Sequence, residues 1–466
     1  MIFNSWTFGV FFFMVYLLYL KLEHRQQNVL LLIASWVFYG FWDYRFLLLL
    51  WISTVVDYSV GMGLNRTTDS RARRALIMVS IAVNLGLLGF FKYYDFFINS
   101  TADLLSFFGF KTSLHTLGII VPVGISFYTF QTLGYALSVY RGEIKACQRF
   151  LDFSLFVSFF PQLVAGPIER AKHLLVQVQT KRVLAWDNIK SGLWLILKGY
   201  FLKVFVADNL TKMVDPVFSA ADPQGAQVLM AVYAFAFQIY GDFAGYSNIA
   251  RGISRLMGFD LMVNFRAPYF AVNPRDFWQR WHISLSTWLR DYLYISLGGN
   301  RHGEKRTYAN LMVTMFLGGL WHGANWTYVI WGVFHGSMLV IHRVFSKFTG
   351  NFKLGMPKII RVILYFHLTC LGWFIFRSKS IGQFIHFFSQ IFSSFKWDLD
   401  MTHQLAVFLF LVIPVVCLDI VEEYDAGPNC FCRWQPIFRY AVYMGMFALI
   451  YVLGSRGGTP FIYFQF

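Results

Sequence analysis

Residues 265–342 read FRAPYFAVNPRDFWQRWHISLSTWLRDYLYISLGGNRHGEKRTYANLMVTMFLGGLWHGANWTYVIWGVFHGSMLVIH. Arg, Asp, His and Asn alternate here with Trp and Phe, inside a chain that is otherwise largely hydrocarbon. His282 in RWHISLS and His322 in GGLWHGANW stand in apolar surroundings. Polar groups within a bilayer are costly and mark pathways or reaction sites. The stretch therefore reads as the catalytic segment of a membrane-embedded protein.

Composition supports that frame. The 466 residues are 57% hydrophobic and 20% aromatic, with 14% charged residues and a mean hydropathy of +0.51. Ordinary soluble domains carry about 25% charged residues, so this chain has too little polar surface to clothe a soluble globule. An all-α polytopic membrane protein of one integral domain, 1–466, is expected. The net charge of +16 belongs to short loops and forms no basic tract, so lipid headgroups are the expected polyanions and nucleic acid is not. Five scattered cysteines make no disulfide framework, and the CxC of Cys430 and Cys432 lacks partners for a metal site.

A spanning helix needs about 20 mostly apolar residues. Candidates lie at 3–21, 28–42, 45–63, 76–97, 116–137, 190–208, 226–245, 310–327, 328–345, 360–378, 404–421 and 438–455, giving about 11–12 spans. The apolar start, Phe3–Leu20, has no basic n-region and is expected to be a retained first helix. Lys21, Arg25, Arg66, Arg71, Arg73, Arg74, Arg141, Lys145 and Arg149 fall on one side under strict alternation, which should be cytoplasmic. Phe150–Leu163 runs into Pro161 and Gly166-Pro167 and is expected to be re-entrant. Residues 246–309 are expected to form amphipathic or half-inserted helices, and 379–403 an interfacial helix.

His322 is flanked by Gly318-Gly319 and Gly323, which permit a break and close approach. A buried imidazole stays neutral and can accept a proton; the alternative is a histidine that only bridges helices. In DFWQRWHISLSTWLRD, Trp278, Trp281, Leu285 and Trp288 form a stripe at helical intervals with His282 beside it, and Asp276 and Arg280 stand at i,i+4. His335 and His342 are expected to be structural, and thirteen residues of helix would turn His335 away from His322 unless Gly323 or Gly332 interrupts it. His24, His173 and His386 are expected to be solvated. HExxH, P-loop and GxSxG patterns are missing from the sequence. A transporter or flippase remains compatible with the intramembrane polar groups, whereas their concentration at 265–342 argues against a pure scaffold.

FWQRWHISLSTWLRDYLYISLGGNR and FLGGLWHGANWTYVIWGVFHG, with VPVGISFYTFQTLGY at 121–135, FFPQLVAGPIER at 160–170 and DFAGYSNIARGISRLMGFDLMVNFRAPY at 242–269, resemble the membrane-bound O-acyltransferase (MBOAT) family. The resemblance is to its bacterial branch of alginate O-acetyltransferase subunits and D-alanyl transfer proteins, and GGNRHG at 298–303 leans toward the former. It implies a helical disk with a cytoplasmic funnel and a central tunnel. His322 is implied as the catalytic histidine and His282 as its assistant. Arg255, Arg275, Arg280, Arg290, Trp281, Trp321 and Asn325 are the candidates for holding substrate and donor. No tightly bound cofactor or metal is implied. The donor is a cytosolic thioester, acetyl-CoA or an acyl-carrier thioester. The implied partners are a periplasmic SGNH-type acetyltransferase and a polysaccharide biosynthesis and secretion complex, at the bacterial inner membrane. D-alanyl transfer to teichoic acid is the alternative activity.

Overall fold

The computed structural model describes residues 1–110, 114–349, 356–424, 434–455 and 461–462; Cys430 and Cys432 lie outside them. Helices are the regular structure throughout the described residues. The chain divides into two compact units, 1–189 with 253–262, and 190–252 with 263–466.

In the first unit, α1 (Trp6–Lys21), α2 (His24–Asp43), α3 (Leu47–Arg66), α4 (Ser70–Leu88) and α5 (Tyr94–Phe107) follow one another through very short turns. Local chemistry starts them. Ser5 accepts from the Phe8 amide, Glu23 and Gln26 form a capping box, and Asp69 accepts from the Ala72 amide. Next come α6 (Ile125–Tyr140), α7 (Phe150–Ser158), α8 (Phe160–Leu163) and α9 (Ala171–Gln179). The chain breaks between α7 and α8 at Phe159, just before Pro161, as the proline leads one to expect. Buried Glu169 accepts from the Met262 amide and bonds His173 at 2.8 Å, and this contact raises the histidine's pKa. His173 and His24, whose Nε2 meets the Val178 carbonyl at 2.9 Å, are thus tied into the fold rather than merely solvated.

The second unit holds most of α10 (Trp186–Tyr200), α11 (Asp208–Ser219), most of α12 (Gly225–Leu256), α13 (Pro274–Trp278), α14 (Ile283–Trp288), α15 (Glu304–His322), α16 (Trp326–Thr349), α17 (Lys358–Arg377), α18 (Ile381–Ser393), α19 (Leu399–Tyr424) and α20 (Pro436–Leu453). α10 and α12 cross backbone to backbone. A Cβ added at Gly199 would lie 2.7 Å from the Gly245 carbonyl, and one at Gly245 2.8 Å from that of Gly199. Without a hydrophobic drive between helices in lipid, such small-residue contacts supply the packing. α12 is fixed further by a buried charge group, in which Lys203 Nζ lies 2.9 Å from Asp208 and 2.6 Å from Asp242.

Seven helical stretches among the described residues are long and apolar enough to cross a membrane: His24–Arg66, Ser70–Phe107, Gly225–Leu256, Trp326–Phe348, Lys358–Arg377, Leu399–Glu423 and Pro436–Leu453. The first unites α2 and α3 across the 3₁₀ turn Tyr44–Phe46, and the second unites α4 and α5 across a π-turn. Several other stretches expected to span form shorter helices, including α1 and α6 at 16 residues each. Residues 246–256 extend α12 and are not a separate surface helix, whereas 381–393 form the expected amphipathic helix.

Candidate active site

α15 ends on His322, and Gly323 turns extended behind it, with the Tyr328 ring 2.3 Å from where a Cβ would stand. Asn325 Oδ1 accepts from the Thr327 amide at 3.0 Å and so opens α16. α16 then runs back along α15, touching it where both are glycine. A Cβ on Gly319 would meet the Tyr328 carbonyl at 2.2 Å, and one on Gly332 the Met315 carbonyl at 2.3 Å. The break at Gly323 therefore hands the chain a tight antiparallel hairpin with His322 at its tip.

The stripe Trp278–Trp281–Leu285–Trp288 does not lie on one helix. α13 stops at Trp278 and α14 begins at Ile283, and His282 between them is left-handed at φ 43°. A non-glycine residue there is uncommon and costs about 1–3 kcal/mol. Hydrogen bonds hold it. The Ile283 amide donates to the Asn264 carbonyl at 3.0 Å, and the Ser284 amide to Asn264 Oδ1 at 3.3 Å. Asn264 Nδ2 in turn donates to Ser247 Oγ on α12 at 3.2 Å.

This bend carries His282 to His322. The ring centroids are 6.5 Å apart, and Trp321 touches both, at 5.8 Å and 5.2 Å. Phe243 meets His282 edge-on at 4.6 Å, while Trp331 and Phe376 meet His322 edge-on at 4.9 Å and 5.5 Å. Both histidines are buried. Burial pushes the His282 imidazole down to about 3, so it is neutral at physiological pH and offers one N–H and one lone pair. A buried imidazole pair walled by aromatic rings can pass a proton and donate a hydrogen bond while excluding bulk water.

The remaining candidates separate. Trp281 is buried against Phe277 and Trp373, at 5.8 Å and 4.7 Å. Asn325 spends its amide on structure, its Nδ2 donating to the Lys379 carbonyl at 3.0 Å. Arg280 is held by Asp276 at 2.7 Å and Glu423 at 2.6 Å, and Arg290 by its neighbour Asp291 at 2.7 Å. Arg255 pairs with Asp260 at 3.1 Å in the first unit. Arg275 is exposed, makes no ion pair among the described residues, and acts electrostatically on His342. His335, expected to turn away, shares Trp331 with His322: its ring is 4.7 Å from the indole. Asn264 was not foreseen, because VNF carries no local signal and its role exists only through contact with the distant bend.

The model of the membrane-bound O-acyltransferase family, MBOAT, matches residues 147–383. The probable alginate O-acetylase AlgI of Pseudomonas putida is 35% identical over the whole of both chains. That of Pseudomonas aeruginosa is 41% identical over 86% of this chain and 76% of the relative. The peptidoglycan O-acetyltransferase of Helicobacter pylori is 37% identical over 82% of this chain and 78% of the relative. With seven span-length helices and two histidines meeting in an aromatic enclosure, this chain belongs to the membrane-bound O-acyltransferase family and is a polytopic membrane acyltransferase.

Proposed function

We propose that the protein moves an acetyl group from a cytosolic thioester, acetyl-CoA, toward the outer face of the inner membrane for O-acetylation of a polysaccharide. The carrying observation is the buried pair of His322 at a helix break and His282 in a left-handed bend. The names of the alginate and peptidoglycan relatives support the acetyl group and a glycan acceptor.

In this reading His322 accepts the proton of an acceptor hydroxyl as its oxygen attacks the thioester carbonyl. A tetrahedral oxyanion forms, and the N–H of His282 donates to it. Collapse breaks the carbon–sulfur bond, and the proton on His322 goes to the departing thiolate. Trp321, Trp331 and Phe376 exclude water that would hydrolyse the thioester. Arg275, exposed and without a carboxylate partner, is the first choice among the four arginines for the donor's phosphates. A periplasmic SGNH-type acetyltransferase completes transfer to the polymer.

The test is His322→Ala in cells, with surface glycans read by mass spectrometry for acetyl against D-alanyl esters. Acetyl esters should fall to background while the variant remains in the membrane at normal level. A well-expressed variant with normal acetylation overturns the base assignment, and loss of D-alanyl esters instead favours the teichoic-acid activity.

A further inference from the structure

His335 is 1% exposed, and among the described residues neither of its ring nitrogens meets a hydrogen-bond partner. Its ring stacks on Phe277 at 5.8 Å and 9°, and touches Trp331 at 4.7 Å and Trp278 at 5.3 Å. The indole N–H groups of Trp278 and Trp331 are likewise buried without an acceptor. A phenylalanine would fill such a position at lower cost, because an unmade hydrogen bond in the interior is expensive. Three rings in mutual contact therefore present more buried N–H donors than acceptors. The chemistry that satisfies them is a neutral carbonyl oxygen, with a nearby N–H for the imidazole lone pair. An amide has both.

The position of the group says which substrate brings them. His322 and His335 flank the same Trp331. From there α16 runs on toward His342 and Arg343, where Arg343 pairs with Glu304 at 3.0 Å and Arg275 acts on His342. Arg301, Lys305, Arg306, Arg343 and Lys347 belong to this end of the hairpin, the end that charge assigns to the cytoplasm. His335 thus lies between the basic edge and the base, on the side of the thioester donor. His335 Nε2 lies close against α17 at Gly372, where an added Cβ would stand 3.0 Å from it and push the ring.

We propose that His335, with the indole N–H groups of Trp331 and Trp278, binds the amide-bearing arm of the acyl donor and sets the thioester against His322. This rests on the thioester-dependent reading above.

The test uses the full chain in detergent or native membranes, with acetyl-CoA as probe. His335→Phe should leave the unliganded thermal midpoint equal or higher, weaken stabilisation by acetyl-CoA, and raise the donor KM roughly three- to tenfold with kcat little changed. His335→Asn, which retains a donor and an acceptor, should recover part of the KM. An unchanged KM and an unchanged acetyl-CoA shift in His335→Phe overturn the proposal and leave the group to packing or internal water. Where that variant does not fold, His335→Asn and Gly372→Ala decide: both should raise the donor KM, the first only slightly, and two wild-type values overturn the proposal. Repeating the thermal shifts in His322→Ala protein separates the two readings, because donor binding there does not require the base.

Discussion

Backbone conformation at position 282 limits what can stand there as firmly as chemistry does. At φ 43° a side chain is strained, and asparagine tolerates this region better than alanine. His282→Asn should therefore fold normally and keep a hydrogen-bonding group, whereas His282→Ala loses the group and keeps the strain. In the acetyl-transfer assay we expect a loss of about 10²-fold for alanine, the scale of a removed oxyanion donor, and a smaller loss for asparagine. Equal losses would mean that the imidazole acts otherwise than by donating. The pH dependence follows from the same burial. A histidine held down to about 3 stays neutral from pH 5 to pH 8, so the acidic limb of the rate profile belongs to another group. His282→Asn should lower the profile without moving that limb; a limb that shifts with the substitution assigns it to His282.

At the scale of elements, the α15–α16 hairpin is a contact between backbones. Gly332→Ala places a methyl 2.3 Å from the Met315 carbonyl, and helix backbone cannot yield as a flexible side chain can. Thermal unfolding in detergent should show a destabilisation of about 1–3 kcal/mol, as for other overpacked sites. Gly86→Ala on α4 is the control, because nothing lies within 4 Å of its added carbon, and there higher helix propensity should be neutral or slightly stabilising. The same hairpin explains two departures from simple periodicity. Gly323 ends the helix after His322, an interruption under which His335 is not turned away from it. The tryptophan stripe at 278–288 was apolar at helical intervals, yet Asn264, far off in sequence, bends the chain there through the Ile283 and Ser284 amides.

For the molecule as a whole, the orientation drawn from loop charge is open to direct measurement. A cysteine placed at Arg71, at the start of α4, should react with an impermeant maleimide only after the membrane is opened. One at Asp103, near the end of α5, should react in intact spheroplasts; the reverse pattern would invert the topology and put the donor on the wrong side. Membrane residence and the helical class were legible in the chain itself, which also singles out His322 and His282 as candidates. Hydrocarbon content forces backbone hydrogen bonds to be satisfied within helices, and the LWHG and RWHISLS segments carry their chemistry in local sequence. Which helices reach full span length was less legible, because π- and 3₁₀-turns join or shorten apolar runs without changing composition. Tertiary structure alone decided that Glu423 occupies Arg280 and that Asn264 holds the left-handed bend. It alone placed His335 beside the indole that His322 also touches. Each of these depends on which distant side chains arrive at one place, and a linear pattern records only neighbours a turn or two away.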